Sequence, residues 1–255
     1  MPTPQRAEAV VLAVANHGDS DKIVTLYGRE QGKFSGIAKG ALRSRKRFVN
    51  KLELFSLLEI NYEEGRISTL VRIDQAELLN GYPAIRSDYQ RYAAASLVGE
   101  MVAQTTREHD ADPRIFALLT WALTAIADAS SLPRSIIFFN LKLLELLGYR
   151  PSLEGCLACG SLAPADRPYH FSLGRSGLLC RRCNREAGHG LVPLSLATIR
   201  LLAKGQDLTI DKLDRLLFPP EALREAITLL RYYQRHLMQR ETRSWQGFLQ
   251  AIDCS

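Results

Sequence analysis

The sequence predicts an α+β protein: an N-terminal five-stranded OB-fold barrel, then a C-terminal helical bundle carrying an inserted four-cysteine zinc module. Three observations carry this. Five short apolar segments separated by turn signals fill about the first eighty residues. From Ala84 onward the apolar period becomes helical. Two C-x-x-C knuckles, Cys156-Leu157-Ala158-Cys159 and Cys180-Arg181-Arg182-Cys183, stand twenty residues apart. The expected domains are 1–80, the barrel, and 81–255, the helices, with the metal module at 152–190.

The strands are expected at 6–16, 22–27, 32–39, 52–62 and 66–79. His17-Gly18-Asp19-Ser20-Asp21, Gly28-Arg29-Glu30-Gln31-Gly32 and Glu63-Glu64-Gly65 supply three of the turns. Helices follow at 84–106, from the capping pair Asp112-Pro113 to about residue 129, and at 132–147, where Gly148 ends the run. The last is apolar around much of its circumference, as a central helix must be. Helical period resumes at 195–204 and 220–240, so the metal module interrupts the bundle. A small hairpin at 169–173 and 177–179 is expected between the knuckles.

Cys156, Cys159, Cys180 and Cys183 have the spacing of a tetrahedral Zn2+ site, one ion per chain. Four thiolates leave no open coordination position, so the ion is structural. His170 and His189 are then redundant as ligands, and Cys254 is a bystander. A disulfide framework would need a secretory leader, which the N-terminus does not suggest, and a cytoplasmic location is expected. No apolar run approaches the ~20 residues of a membrane span.

The formal net charge of +6 is local: residues 32–51 hold seven cations and no Asp or Glu, while the remainder has 26 basic against 27 acidic residues. Lys33, Lys39, Arg43, Arg45, Lys46 and Arg47 are the candidate nucleic-acid contacts, with a phosphate backbone or an acidic protein tail as the alternative partners. Phe34 and Phe48, each beside a cation, are candidates for base stacking. Arg181, Arg182 and Arg185 form a second possible patch, and Arg29, beside Glu30, is a weaker candidate. Phosphate loops, nucleophile elbows and zinc-protease or deaminase signatures are absent from the sequence, so an enzyme is not expected. A zinc-containing scaffold or transcription accessory protein that binds only proteins remains the alternative.

Gly148-Tyr149-Arg150-Pro151 running into Cys156-x-x-Cys159-Gly160 after a Leu-rich helix resembles the bacterial RecO family. So do residues 19–26, Gly32-Lys33 with Ala38-Lys39-Gly40, Asp74-Gln75-Ala76-Glu77-Leu78, and Ser244-Trp245, all in the same order. The resemblance implies a DNA repair and recombination mediator of the RecFOR pathway. Such a protein binds single- and double-stranded DNA and anneals complementary strands. With RecR it helps load RecA onto DNA coated by single-strand-binding protein. It also implies a cytoplasmic, nucleoid-associated protein of the metal-bearing branch.

Overall fold

A computed structural model of the chain describes residues 4–64, 69–128, 131–161, 169–184 and 190–253. Five strands, β1 (Gln5–His17), β2 (Asp21–Gly28), β3 (Gly32–Ala38), β4 (Leu57–Glu63) and β5 (Val71–Asn80), close into a barrel of order β1-β2-β3-β5-β4. β4 returns antiparallel to β1, and β3 meets β5 in parallel. This is the expected OB topology.

The barrel closes because its inward positions combine small and large side chains. Ala7, Ala9, Ala38 and Ala76 make room for Leu26, Phe34, Ile60 and Tyr62, and the Phe34 and Tyr62 rings lie 5.8 Å apart. Every second residue of β3 is buried, from Gly32 through Phe34 and Gly36 to Ala38. A Cβ on Gly36 would stand 2.8 Å from Ile73 Cδ1, so the crossing onto β5 leaves no room for a side chain there.

The segment between β3 and β4 is not a free loop. Asp21 Oδ1 accepts the Gly40 N–H at 2.8 Å and the Ser20 hydroxyl at 2.7 Å, and Gly40 itself has φ +69°. A short 3-10 turn, Ala41–Arg43, follows. Ala41, Phe48 and Leu52 then enter the barrel core and plug one end. The strand expected from residue 52 therefore begins only at Leu57. Leu52 is consumed by the plug, and Phe55 adopts φ +68° while its N–H bonds Val11 O opposite the bulge in β1. At the other hairpin, residues 65–68 lie outside the described residues, and the described part of β5 begins at Val71.

Helices α1 (Pro83–Ser87), α2 (Tyr89–Thr105) and α3 (Pro113–Asp128) follow. The single helix expected over 84–106 is split at Asp88, whose extended backbone (φ −129°) and side chain cap α2 through the Arg91 N–H. Compactness divides the chain into Met1–Asp128 and Ala129–Ser255, so these three helices share a unit with the barrel, whereas the expected boundary lies near residue 80.

In the second unit, α4 (Leu132–Leu146) packs against α5 (Leu196–Asp207) and α6 (Pro220–Met238), joining helices before and after the metal module. Gly148, at φ +80°, ends the first of these as expected. Between them lie β6 (Tyr169–Ser172), β7 (Gly177–Cys180) and β8 (Leu191–Leu194), in order β7-β6-β8. Phe171 of β6 meets Tyr233 of α6 at 5.1 Å. α7 (Ser244–Asp253) closes the unit, with Trp245 buried and its Nε1–H donated to Gln234 Oε1 at 3.1 Å. Among the described residues no helix is long and apolar enough to cross a membrane.

Candidate nucleic-acid interface and metal centre

The cations of the barrel fall into three groups: paired with carboxylates, bonded to backbone carbonyls, or with neither partner among the described residues. Arg6, Lys22, Arg29 and Arg72 each sit within 3.3 Å of a carboxylate, on Glu59, Glu53, Glu8 and Asp74 respectively. Arg29 is held further by the Phe116 ring, 4.6 Å from its guanidinium carbon. Lys39, Arg43, Arg45 and Lys46 are exposed and make no side-chain hydrogen bond or ion pair among the described residues. Four positive charges without a bonded partner thus lie on eight consecutive residues, and of these Lys39 feels the Asp21 carboxylate.

Two of the expected contacts are engaged in the fold. Lys33 Nζ donates to Ala103 O at 2.8 Å and Thr106 O at 2.6 Å, completing the carbonyl end of α2. Arg47 donates to the Asp74 and Lys39 carbonyls, both at 3.3 Å, and its guanidinium carbon lies 5.1 Å from the Phe48 ring centroid. Arg47 therefore ties the plug to β5, although its side chain stays exposed. Arg91 and Lys142 show the same use of a cation as Lys33: each donates to carbonyls at a helix end, at Ile126 and Ala127 and at Gln206.

Base stacking by Phe34 and Phe48 is corrected by burial, since they are 1% and 4% exposed and belong to the barrel core. Tyr27, Phe55 and Tyr62 are buried as well. The alternation of β3 points Phe34 inward whatever its neighbours' charge, and the plug does the same to Phe48. The described barrel therefore presents cations without aromatic platforms, a surface made for phosphates rather than for base faces.

The four cysteines converge. Their sulfur atoms all lie within 4.8 Å of one another, and Cys159 Sγ stands 3.9 Å from Cys180 Sγ. A tetrahedral ion with sulfurs at ~2.3 Å would set them ~3.8 Å apart, so the donor set fits such an ion. Each knuckle is a tight turn: Gly160 N–H bonds Cys156 O at 2.8 Å, with Gly160 at φ +69°, and Cys183 N–H bonds Cys180 O at 3.0 Å. Leu157 N–H bonds Leu178 O at 2.8 Å, fastening the first knuckle to β7. A Cβ on Gly177 would stand 2.6 Å from Leu157 Cδ1 and 2.9 Å from Ser152 Cβ, so a side chain there would have to displace Leu157 and crowd Ser152.

The sulfurs are prepared unequally for ionisation. Burial opposes ionisation of Cys156, but the N–H groups of Cys180, Ala158 and Cys159 outweigh it and bring the thiol down to about 6. Cys183 is pushed up to about 12 by its hydrogen bonds with the Cys180 and Cys159 sulfurs. Four thiolates this close require a cation to share. With a dication they would retain two negative charges in excess, and Arg181 and Arg182 line the same hollow as Cys159, Cys180 and Cys183. Arg185, His189 and Cys254 lie outside the described residues, while His170 Nδ1 faces Asn184 Nδ2 at 2.9 Å.

An OB barrel with a cationic plug, followed by helices and a four-thiolate module, defines a modular α+β protein whose two compact units each have buried apolar residues of their own. The chain matches the family model for the recombination protein O N terminal over residues 1–82 and that for its C terminal over residues 86–246. It is 38% identical over 230 residues to the DNA repair protein RecO of Geobacter sulfurreducens, covering 89% of this chain and 90% of the relative. With the DNA repair protein RecO of Syntrophus aciditrophicus it shares 32% identity over 240 residues, 94% and 93% of the two chains. The RecO of Myxococcus xanthus is 34% identical over 239 residues, 93% of each. This chain belongs to the RecO family.

Proposed function

We propose that the protein is a DNA repair and recombination mediator that grips single- and double-stranded DNA by its phosphates and anneals complementary strands. The observation that carries this is the contrast on the barrel: Arg6, Lys22, Arg29 and Arg72 are matched by carboxylates and Lys33 and Arg47 by backbone carbonyls, whereas the side chains of Lys39, Arg43, Arg45 and Lys46 have neither among the described residues. Annealing needs strands held close with their Watson–Crick edges free. Phosphate contacts without stacking do that, and they give weak sequence preference with strong salt dependence.

Zn2+ is the metal that best suits four thiolates, one per chain at Cys156, Cys159, Cys180 and Cys183, and it would supply folding free energy rather than reactivity. Membership of the family supports RecR and single-strand-binding protein as partners, RecA as the indirect beneficiary, and a cytoplasmic, nucleoid-associated location. No catalytic step is assigned. The test is annealing of bare and protein-coated complementary strands, with and without ATP. Nucleotide-independent annealing is expected, and failure to bind or anneal DNA would favour a scaffold that binds only proteins.

A further inference from the structure

The C-terminal end of α6 carries a hollow of about 710 Å³ lined by Leu173, Tyr232, Arg235, His236, Gln239, Arg240 and Glu241. Cations at a helix C-terminus complement its dipole, and Arg235 with His236 fits that simple role. Two features exceed it. Tyr232 is 43% exposed as a residue, one helical turn before His236 and on the same face. Arg240 lies just beyond Gln239, whose φ of +53° turns the chain out of the helix, and it has no side-chain partner among the described residues.

The acidic balance is small. Glu241 is shared between Arg231 at 2.8 Å and Arg235 at 3.4 Å, so one carboxylate serves two guanidinium groups and none is left for Arg240. An exposed aromatic ring flanked by guanidinium groups has the makeup of a single-strand contact, in which a base stacks and its neighbouring phosphates are neutralised. An acidic peptide would need an apolar slot for its anchoring side chains, and among the described residues Leu173 is the sole aliphatic one in this lining.

We propose that this hollow is a second site for single-stranded nucleic acid, with a base on Tyr232 and phosphates on Arg235 and Arg240. The barrel offers cations without exposed rings, whereas this site offers both, so the two would hold a strand in different ways. The inference rests on the reading that the protein anneals strands, and the experiment separates the two.

The full-length protein is irradiated with a mixed-sequence single strand carrying 4-thiothymidine, crosslinked peptides are mapped, and annealing of bare strands is measured in parallel. Crosslinks are expected at the Tyr232 peptide as well as in residues 39–47. Tyr232→Ala and Arg240→Glu should each abolish the former and slow annealing, by ~5-fold or more for the lost stack. Tyr232→Phe, which keeps the ring, should behave as the parent. Both positions are exposed, so unchanged thermal unfolding is expected and is checked. Crosslinks confined to residues 39–47, with annealing unaffected by the α6 variants, would overturn this site and leave the proposed function standing. Crosslinks in neither region would overturn both. Wild-type binding of an acidic peptide, lost in both variants while no DNA crosslinks α6, would give the surface to a protein and also overturn the proposal.

Discussion

Replacing Lys33 with Met separates a structural cation from a DNA-binding one. Its ammonium donates two charge-assisted hydrogen bonds, to Ala103 O and Thr106 O, at the end of α2. Hydrogen bonds to charged groups contribute roughly 1.5–3 kcal/mol each when removal strands a partly buried acceptor. Favourable interaction with the helix end adds ~0.3–1 kcal/mol. Methionine retains the apolar stem, so a loss of about 3 kcal/mol is the expected net effect. Urea unfolding followed by far-ultraviolet circular dichroism measures this. The same variant, folded at low temperature, should show the parent slope of log affinity for DNA against log salt. A Lys33→Met protein of parent stability whose salt slope has fallen by ~0.7 on single strands would refute this assignment, because the side chain would then be a phosphate contact.

Purified, reduced protein should contain about one Zn2+ per chain. Cys159→Ser should lower that content and destabilise Ala129–Ser255, read by metal analysis and thermal unfolding. Gly32→Ala should cost about 2–4 kcal/mol, because Gly32 has φ +65° and a Cβ there would stand 2.4 Å from Asp110 O; at Gly18, φ +57° with open space, the cost should stay near ~1 kcal/mol, both by chemical denaturation. Asp21 is held below the usual carboxylate range by the Gly40 N–H, with help from Ser20 and against the opposing effect of burial. A depressed folded pKa means that this anchor is fully present above the ordinary value of 3.8 and is lost as pH falls through the lower folded value. The protection factor of the Gly40 amide should drop on acidification across that window, and Asp21→Asn should remove the dependence.

The sequence disclosed what local spacing controls. Strand alternation, the two knuckles, Asp112-Pro113 before α3 and Gly148 after α4 all depend on neighbouring residues, and they are found where the pattern puts them. It did not disclose what distant partners decide. β8 has four residues and includes Pro193, so its pairing with β6 leaves little local trace. α7 shows in the sequence only as the Ser244-Trp245 dipeptide, because the Gln234 side chain that accepts the buried Trp245 N–H lies on another helix. Lys33 and Arg47 look like their cationic neighbours until the Ala103, Thr106, Asp74 and Lys39 carbonyls are seen beside them. Phe34 could have been assigned inward by counting alternate positions along β3. Phe48 had no such signal, since its burial follows from the plug.

The most direct measurement on the phosphate-gripping surface is the salt dependence of DNA affinity for Arg43→Ala, Arg45→Ala and Lys46→Ala combined. These three side chains are exposed, unpaired among the described residues, and outside the hydrogen bonds that anchor the plug. The slope of log affinity against log salt should become shallower by up to ~2 on single strands and ~2.7 on duplex, with unrelated sequences weakened by similar factors and unfolding unchanged. An unchanged slope and affinity in the folded variant would contradict the assignment and place the DNA on another surface.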